Sequence, residues 1–179
     1  EGYAIAKISG LKLCEYYNKQ HGTNFISLVP CNLYGPNDNF DLHSSHVVSA
    51  LLLKFHNAKE KSMPFVNVWG TGKARREFLY VEDAVDAILY FMQNYDYKDI
   101  SPFINIGFGK DVPIRELATL MRDVVGYKGK IKFNSSKPDG MPQKLLDVSR
   151  AYQLGWKAKI SLKEGLKQTY GWFRENKNG

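Results

Sequence analysis

Four places along the chain hold side chains whose types and spacing suit chemistry. Tyr3 and Lys7 stand four residues apart at the head of a helical pattern, which puts both on one face, one turn apart. A tyrosine ionises near pH ~10, and a neighbouring ammonium favours its phenolate, so such a pair can work as an acid/base unit. The same pair also occurs on helices with no chemical role. The second place is Pro30-Cys31-Asn32-Leu33-Tyr34-Gly35-Pro36, directly after a short apolar run. Asn32 and the backbone there can hold a ligand or simply turn the chain. The third is His46, with His43 three residues before it. A histidine titrates near neutrality and can give and take protons, while capping or packing would suit the same position. The two histidines lack an evident third metal ligand, so no metal site is expected. The fourth is the run Trp69-Gly70-Thr71-Gly72-Lys73-Ala74-Arg75-Arg76-Glu77-Phe78. Trp69 can stack on a planar base and Arg76 can hold phosphate in a forked contact, with Lys54 as a second positive group. Its Gly-x-Gly lacks the third glycine of a dinucleotide fingerprint and reads as a hairpin-like turn. A structural turn around a buried tryptophan would look the same.

These residues need elements to position them. The apolar spacing predicts a helix over 4–20, closed by Gly22, and a buried strand over 25–29 that Pro30 stops. Residues 31–45 read as loop, at the carboxyl end of a parallel strand, where open α/β sheets bind ligands. A helix follows over 47–56, strands over 65–69 and 76–80, a helix over 84–94 and a strand over 103–107. Asp111-Val112-Pro113 is expected to open a helix running to Val125. A strand over 130–134, a loop over 135–144, a short helix ending at Leu154-Gly155-Trp156 and a last helix capped by Ser161 and Glu164 complete the pattern. Alternating helices and short strands predict an α/β fold. The visible strands make a poor complete sheet and the chain opens abruptly inside a helix, so a piece of a longer polypeptide is expected.

Composition narrows the classes. The net charge of +7 is spread along the chain with no block of five or six like charges, so nucleic acid is not expected as a partner. No apolar run approaches bilayer length, and no charged-then-apolar leader is read, so neither a membrane nor secretion is expected. Cys14 and Cys31 show no metal spacing, and reduced thiols in a cytoplasmic setting are the expectation.

Taken in order, the motifs carry a resemblance. Tyr-x-x-x-Lys at 3 and 7, Asn-Leu-Tyr-Gly-Pro at 32–36, Trp-Gly-x-Gly-x-x-Arg-Arg-x-Phe at 69–78 and Val-Glu-Asp-Ala at 81–84 resemble the extended short-chain dehydrogenase/reductase family of sugar-nucleotide enzymes. The segments 32–51, with His46, and 137–147, with Lys-Pro-Asp-Gly, are similar to the branch that converts GDP-4-keto-6-deoxy-D-mannose to GDP-L-fucose. The resemblance implies the last elements of a Rossmann-type parallel sheet plus a smaller α/β substrate-binding domain. Residues 1–36, with a returning strand near 103–107, would belong to the NADP-binding part, and 37–179 mainly to the substrate part.

It also implies roles. Tyr3 would give a proton to the sugar C4 oxygen during reduction by NADPH. Lys7 would assist it and hydrogen-bond the nicotinamide ribose. His46 would be the acid/base of epimerisation at C3 and C5. Pro30, Cys31, Asn32 and Leu33, with Lys7 and His46, fall where the family contacts NADP(H); Lys54, Trp69, Arg76 and Asp139 fall where it holds the GDP-sugar. The family pairs as homodimers through the helix after Tyr3, which Ile8, Leu11 and Tyr17 permit. The family's glycine-rich NADP loop, and its Ser and Cys upstream of the Tyr, are not in this sequence, and Cys14 and Cys31 do not match that Cys in position. By itself this polypeptide is therefore expected to bind NADP poorly and not to turn over. Three other readings stand beside the leading one: a 4-epimerase or 4,6-dehydratase of the same family, a non-catalytic GDP-sugar-binding module, and a basic nucleic-acid binder.

Overall fold

The structure is a computed structural model that describes residues 2–41 and 44–176. Helix α1 (Gly2–His21) leads into β1 (Leu28–Pro30) and β2 (Asn32–Tyr34). Then come α2 (Val47–Glu60), β3 (Phe65–Trp69), β4 (Arg75–Tyr80), α3 (Val81–Asn94) and the single turn α4 (Tyr97–Ile100). The remainder runs β5 (Ile104–Ile106), β6 (Asp111–Pro113), α5 (Ile114–Val125), β7 (Lys130–Asn134), β8 (Gln143–Lys144), α6 (Ser149–Gln153) and α7 (Leu162–Asn176). Among the described residues these strands form three small sheets: β1 with β5, β3 with β7, and β4 flanked by β2, β6 and β8. Every pairing is parallel except that of β4 with β6, so the α/β class read from the alternating elements is what the chain adopts.

Strand β4 is the centre of this arrangement. Successive strand side chains point to opposite faces. Phe78 and Tyr80 accordingly enter a core built from α2, α5 and α7, with Leu52, Phe55, Leu117 and Leu166 fully buried. Leu79 enters a second core with Ala87 and Phe91 of α3, Ile104 and Ile106 of β5, and Trp156. Acids of α3 hold the segment 156–160 in place. Asp83, in the first turn, accepts hydrogen bonds from the backbone N–H groups of Lys159 and Ile160, and Asp86 accepts one from the Trp156 indole at 2.9 Å. An acid at a helix N-terminus is also favoured by the helix dipole.

Several expected elements differ. The strand expected over 25–29 is confined to Leu28–Pro30, because Phe25 is held by Asn18 instead: the Asn18 amide donates to its carbonyl and accepts from its N–H, both at 2.8 Å. Pro30 ends the strand, but as its last paired residue, opposite Ile106. Asn32–Tyr34, expected as loop, is a strand, because it lies parallel to β4 in the register Asn32↔Phe78. The run after Trp69 is no hairpin: β3 and β4 lie in different sheets. Asp111–Pro113 is a strand and only Ile114 starts the helix, since Asp111 is held against β4 by the Arg75 guanidinium. Gln143–Lys144, expected as loop, pairs with Arg75 and Arg76.

Helix α1 stands apart from both cores. Gly22 closes it in the left-handed conformation, as its position suggested, and Asn18 is its buried residue. Tyr3, Ile5, Ile8 and Leu13 are exposed.

Candidate active site

A cleft of about 1180 Å³ opens between the first half of α1, β1, the β2 segment, His46 and the stretch 144–146. It runs along the whole of β1, from Leu28 to Pro30, and reaches the β2 segment that follows. Tyr3, Lys7, Pro30, Cys31, Asn32, Leu33 and His46 all line it. Residues distant in sequence are therefore brought to one place. The helix sets the first pair: the Lys7 ammonium lies 5.5 Å from the centroid of the Tyr3 ring. Tyr3 is 78% exposed, so this contact is wet. His46 occupies the N-cap position of α2 in extended backbone conformation, and its ring makes no capping hydrogen bond. His43 lies outside the described residues. Among the described residues no cluster of three or more His, Cys, Asp or Glu side chains is placed to hold a metal ion.

The floor of the cleft is more rigid. The Asn32 amide donates to the Glu77 carbonyl at 2.7 Å, and the Cys31 N–H donates to the Ile106 carbonyl at 3.0 Å. Burial, reinforced by the Glu77 charge, pushes the Cys31 thiol up to about 12, so it stays protonated and neutral. Asp38 also lines the cleft and accepts a hydrogen bond from the Ser49 hydroxyl, which anchors the loop before His46 to α2.

Lys54, Trp69, Arg76 and Asp139 gather elsewhere, around the end of β3 and the start of β4. Trp69 is exposed, with the Lys54 and Lys137 ammonium groups 5.1 and 5.6 Å from its ring centroid. Partial burial lowers the Lys54 ammonium from its usual range. Asp139 accepts from the Thr71 N–H at 2.7 Å and from the Thr71 hydroxyl at 2.6 Å, which holds its carboxyl below the usual carboxylate range. Gly70, at φ +80°, is where this loop folds under Asp139, and a β-carbon there would collide with the carboxylate. The Arg76 guanidinium donates to the Met141 carbonyl at 2.7 Å. A flat indole edged by two ammonium groups, near a guanidinium, is suited to a base carrying phosphates.

Sequence reasoning did not single out Glu77, Asp38 or Thr71 as parts of this region. Glu77 had a signal: a carboxylate beside Phe78-Leu79-Tyr80, in a strand buried on both faces, is costly unless bonded. Asp38 and Thr71 had none, because their partners are eleven and 68 residues away.

The parallel strand pairs alternating with helices are those of a Rossmann-type α/β fold. Residues 1–107 match the model of the NAD dependent epimerase/dehydratase family, and the chain belongs to that family. It is 51% identical to the GDP-L-fucose synthase of Escherichia coli (strain K12), over 99% of this chain and 57% of that protein. To the probable GDP-L-fucose synthase 1 of Oryza sativa subsp. japonica it is 50% identical, over 98% of this chain and 53% of that one. The crystal structure of a GDP-L-fucose synthetase from Naegleria fowleri bound to NADP superposes with a TM-score of 0.90 at 29% identity, over 98% of this chain and 56% of that one. The chain thus spans little more than half the length of these relatives. Among the described residues no helix is long and apolar enough to cross a membrane.

Proposed function

We propose that the full-length protein carrying this chain converts GDP-4-keto-6-deoxy-D-mannose to GDP-L-fucose by NADPH-dependent 3,5-epimerisation and 4-reduction. The observation that carries this reading is that Tyr3, Lys7 and His46, from two separate helices, line one cleft together with the Pro30–Leu33 segment. Half-identical relatives named for that activity support it.

The cleft suits a nicotinamide nucleotide. It offers the Tyr3 hydroxyl and the Lys7 ammonium as donors, the apolar surfaces of Pro30 and Leu33, and a neutral Cys31 thiol. NADPH, when bound, supplies the hydride that reduces C4. Tyr3 gives its proton to the C4 oxygen, and the Lys7 ammonium favours the phenolate left behind. His46 acts in the epimerisation at C3 and C5, where the adjacent ketone makes the protons acidic enough for a positioned imidazole to handle, by reprotonating the carbon from the new face. Trp69 stacks on the guanine, Arg76 and Lys54 neutralise the diphosphate, and Asp139 orders the loop beneath.

Residues 1–36, with β5, form the cofactor-binding part, and 37–179 mainly the substrate-binding part. The exposed apolar side chains of α1 suit a second copy of the chain, giving a homodimer. The protein works in the cytoplasm, where its two cysteines, both free here, stay reduced.

The full-length protein is mixed with NADPH and GDP-4-keto-6-deoxy-D-mannose, and the absorbance of the reduced cofactor is followed. Steady oxidation is expected; none with this substrate would overturn the reading. His46→Asn is expected to abolish solvent deuterium uptake at C3 and C5 while a pre-epimerised substrate is still reduced. Unchanged uptake removes His46 from the mechanism.

A further inference from the structure

Glu77 is fully buried, yet both its carboxylate oxygens are committed to segments other than its own strand. Oε1 accepts the Gly109 N–H at 2.7 Å, from the turn between β5 and β6. Oε2 accepts the Leu146 N–H at 3.0 Å, just after β8. The β5 end closes directly on this group, because a β-carbon at Gly107 would collide with the carboxylate. A buried carboxylate is costly unless such bonds satisfy it, and an apolar side chain would fill the position without that cost.

The Leu146 bond is one end of a continuous attachment. Asp139 is fixed to Thr71, the Met141 carbonyl to Arg76, and the Pro142 carbonyl to the Arg75 N–H at 2.8 Å. Gln143 and Lys144 then pair with Arg75 and Arg76, and Leu146 reaches Glu77. Residues 139–145 have exposed side chains, so hydrogen bonds to the region around β4, rather than apolar burial, hold this strap down. Its first residue belongs to the Trp69 surface and its last three line the Tyr3 cleft.

We propose that Glu77 is a positioning residue: by anchoring the end of the 139–146 strap, it couples sugar-nucleotide binding at the Trp69 surface to the shape of the cleft. This rests on the reading of the two regions given above. Unseating the strap moves Lys144 and Leu145 off the cleft wall and loosens the segment against which Arg76 is set.

The test uses the full-length protein with Glu77→Gln, which keeps the shape but replaces one acceptor by a donor, and Leu146→Pro, which removes one donor and leaves the acid. Both are expected to raise KM for the sugar nucleotide and Kd for GDP about tenfold, the size of one lost hydrogen bond to a charged acceptor, and to raise KM for NADPH in the same direction, with kcat at saturation of both changed less than about threefold. Amide exchange over 141–146 is expected to accelerate while that of β3 and β7 stays unchanged. A merely structural Glu77 would lower the thermal midpoint and the active fraction but leave KM, GDP affinity and strap exchange of the folded protein as in wild type, which overturns the proposal. If Glu77→Gln does not fold, Leu146→Pro decides by the same readouts. Should the wild type fail to oxidise NADPH with this substrate, the function above falls, while GDP affinity and strap exchange still judge the coupling.

Discussion

The two regions of the candidate site are built in opposite ways. In the cleft, the groups suited to proton transfer stand on exposed backbone: Tyr3 and Lys7 on a helix outside both cores, and His46 at a helix start without a capping bond. On the Trp69 surface, the groups suited to binding are tied down, Asp139 by two bonds to Thr71 and Arg76 by the Met141 carbonyl. The difference is physical. A group that must hold an anion gains from being fixed beforehand, since fixing it after binding costs conformational entropy. The side chains of α1 are ordered by few contacts within this chain, so their geometry depends on what packs against that helix.

The contrast can be broken most sharply at Tyr3. Tyr3→Phe in the full-length protein is expected to lower kcat about 10³-fold through loss of the proton donor, with GDP affinity unchanged. If GDP affinity fell as well, the two regions would not be separable. Arg76→Ala should do the reverse, raising Kd for GDP by about 10- to 100-fold, the range for a lost charged hydrogen bond, as calorimetry would read it. Its kcat at saturating substrate should stay near wild type.

A smaller effect tests the anchoring of β4. The Arg75 guanidinium, with help from Gln143, holds the Asp111 carboxyl below its ordinary value of 3.8. A depressed carboxylate stabilises the fold above that ordinary value, and the contribution is lost as pH falls through the folded one. The wild-type thermal midpoint should thus fall as pH drops from about 5 to about 3, while Asp111→Asn starts about 2–4 °C lower and is flatter across that window. Equal slopes would show that Asp111 is not the responsible group. The smallest change is expected on α1. Ile8→Glu, at an exposed position, should shift this chain's stability by less than about 0.5 kcal/mol, yet turn the proposed full-length dimer into monomer in a sedimentation experiment.

Much of this was legible in the chain itself where the pattern is local and strong. The helical periodicities at α2 and α5 put Val48, Leu51, Leu52, Phe55 and Leu117 in the core, and the β3 and β7 runs marked their strands to the residue. The short pieces β2, β6 and β8 were not legible. Three residues or fewer hold no period, and each is a strand only because β4 lies beside it. The turn after Trp69 misled for the same reason: glycines mark a reversal but not which strand the chain rejoins.

The candidate residues divide along the same line. Tyr3 and Lys7 are fixed relative to each other by helix geometry alone, so their spacing sufficed to pair them. That His46 and Leu33 share a cleft with them, and that Asp139 lies against Thr71, follows from contacts between residues far apart in the chain. Glu77 shows the limit most clearly. Its position in a buried strand signals that its charge needs partners, but the partners are the backbone N–H groups of Gly109 and Leu146. Every non-proline residue carries such a group, so no residue type announces one as a ligand, and only the packing of three segments around β4 selected these two.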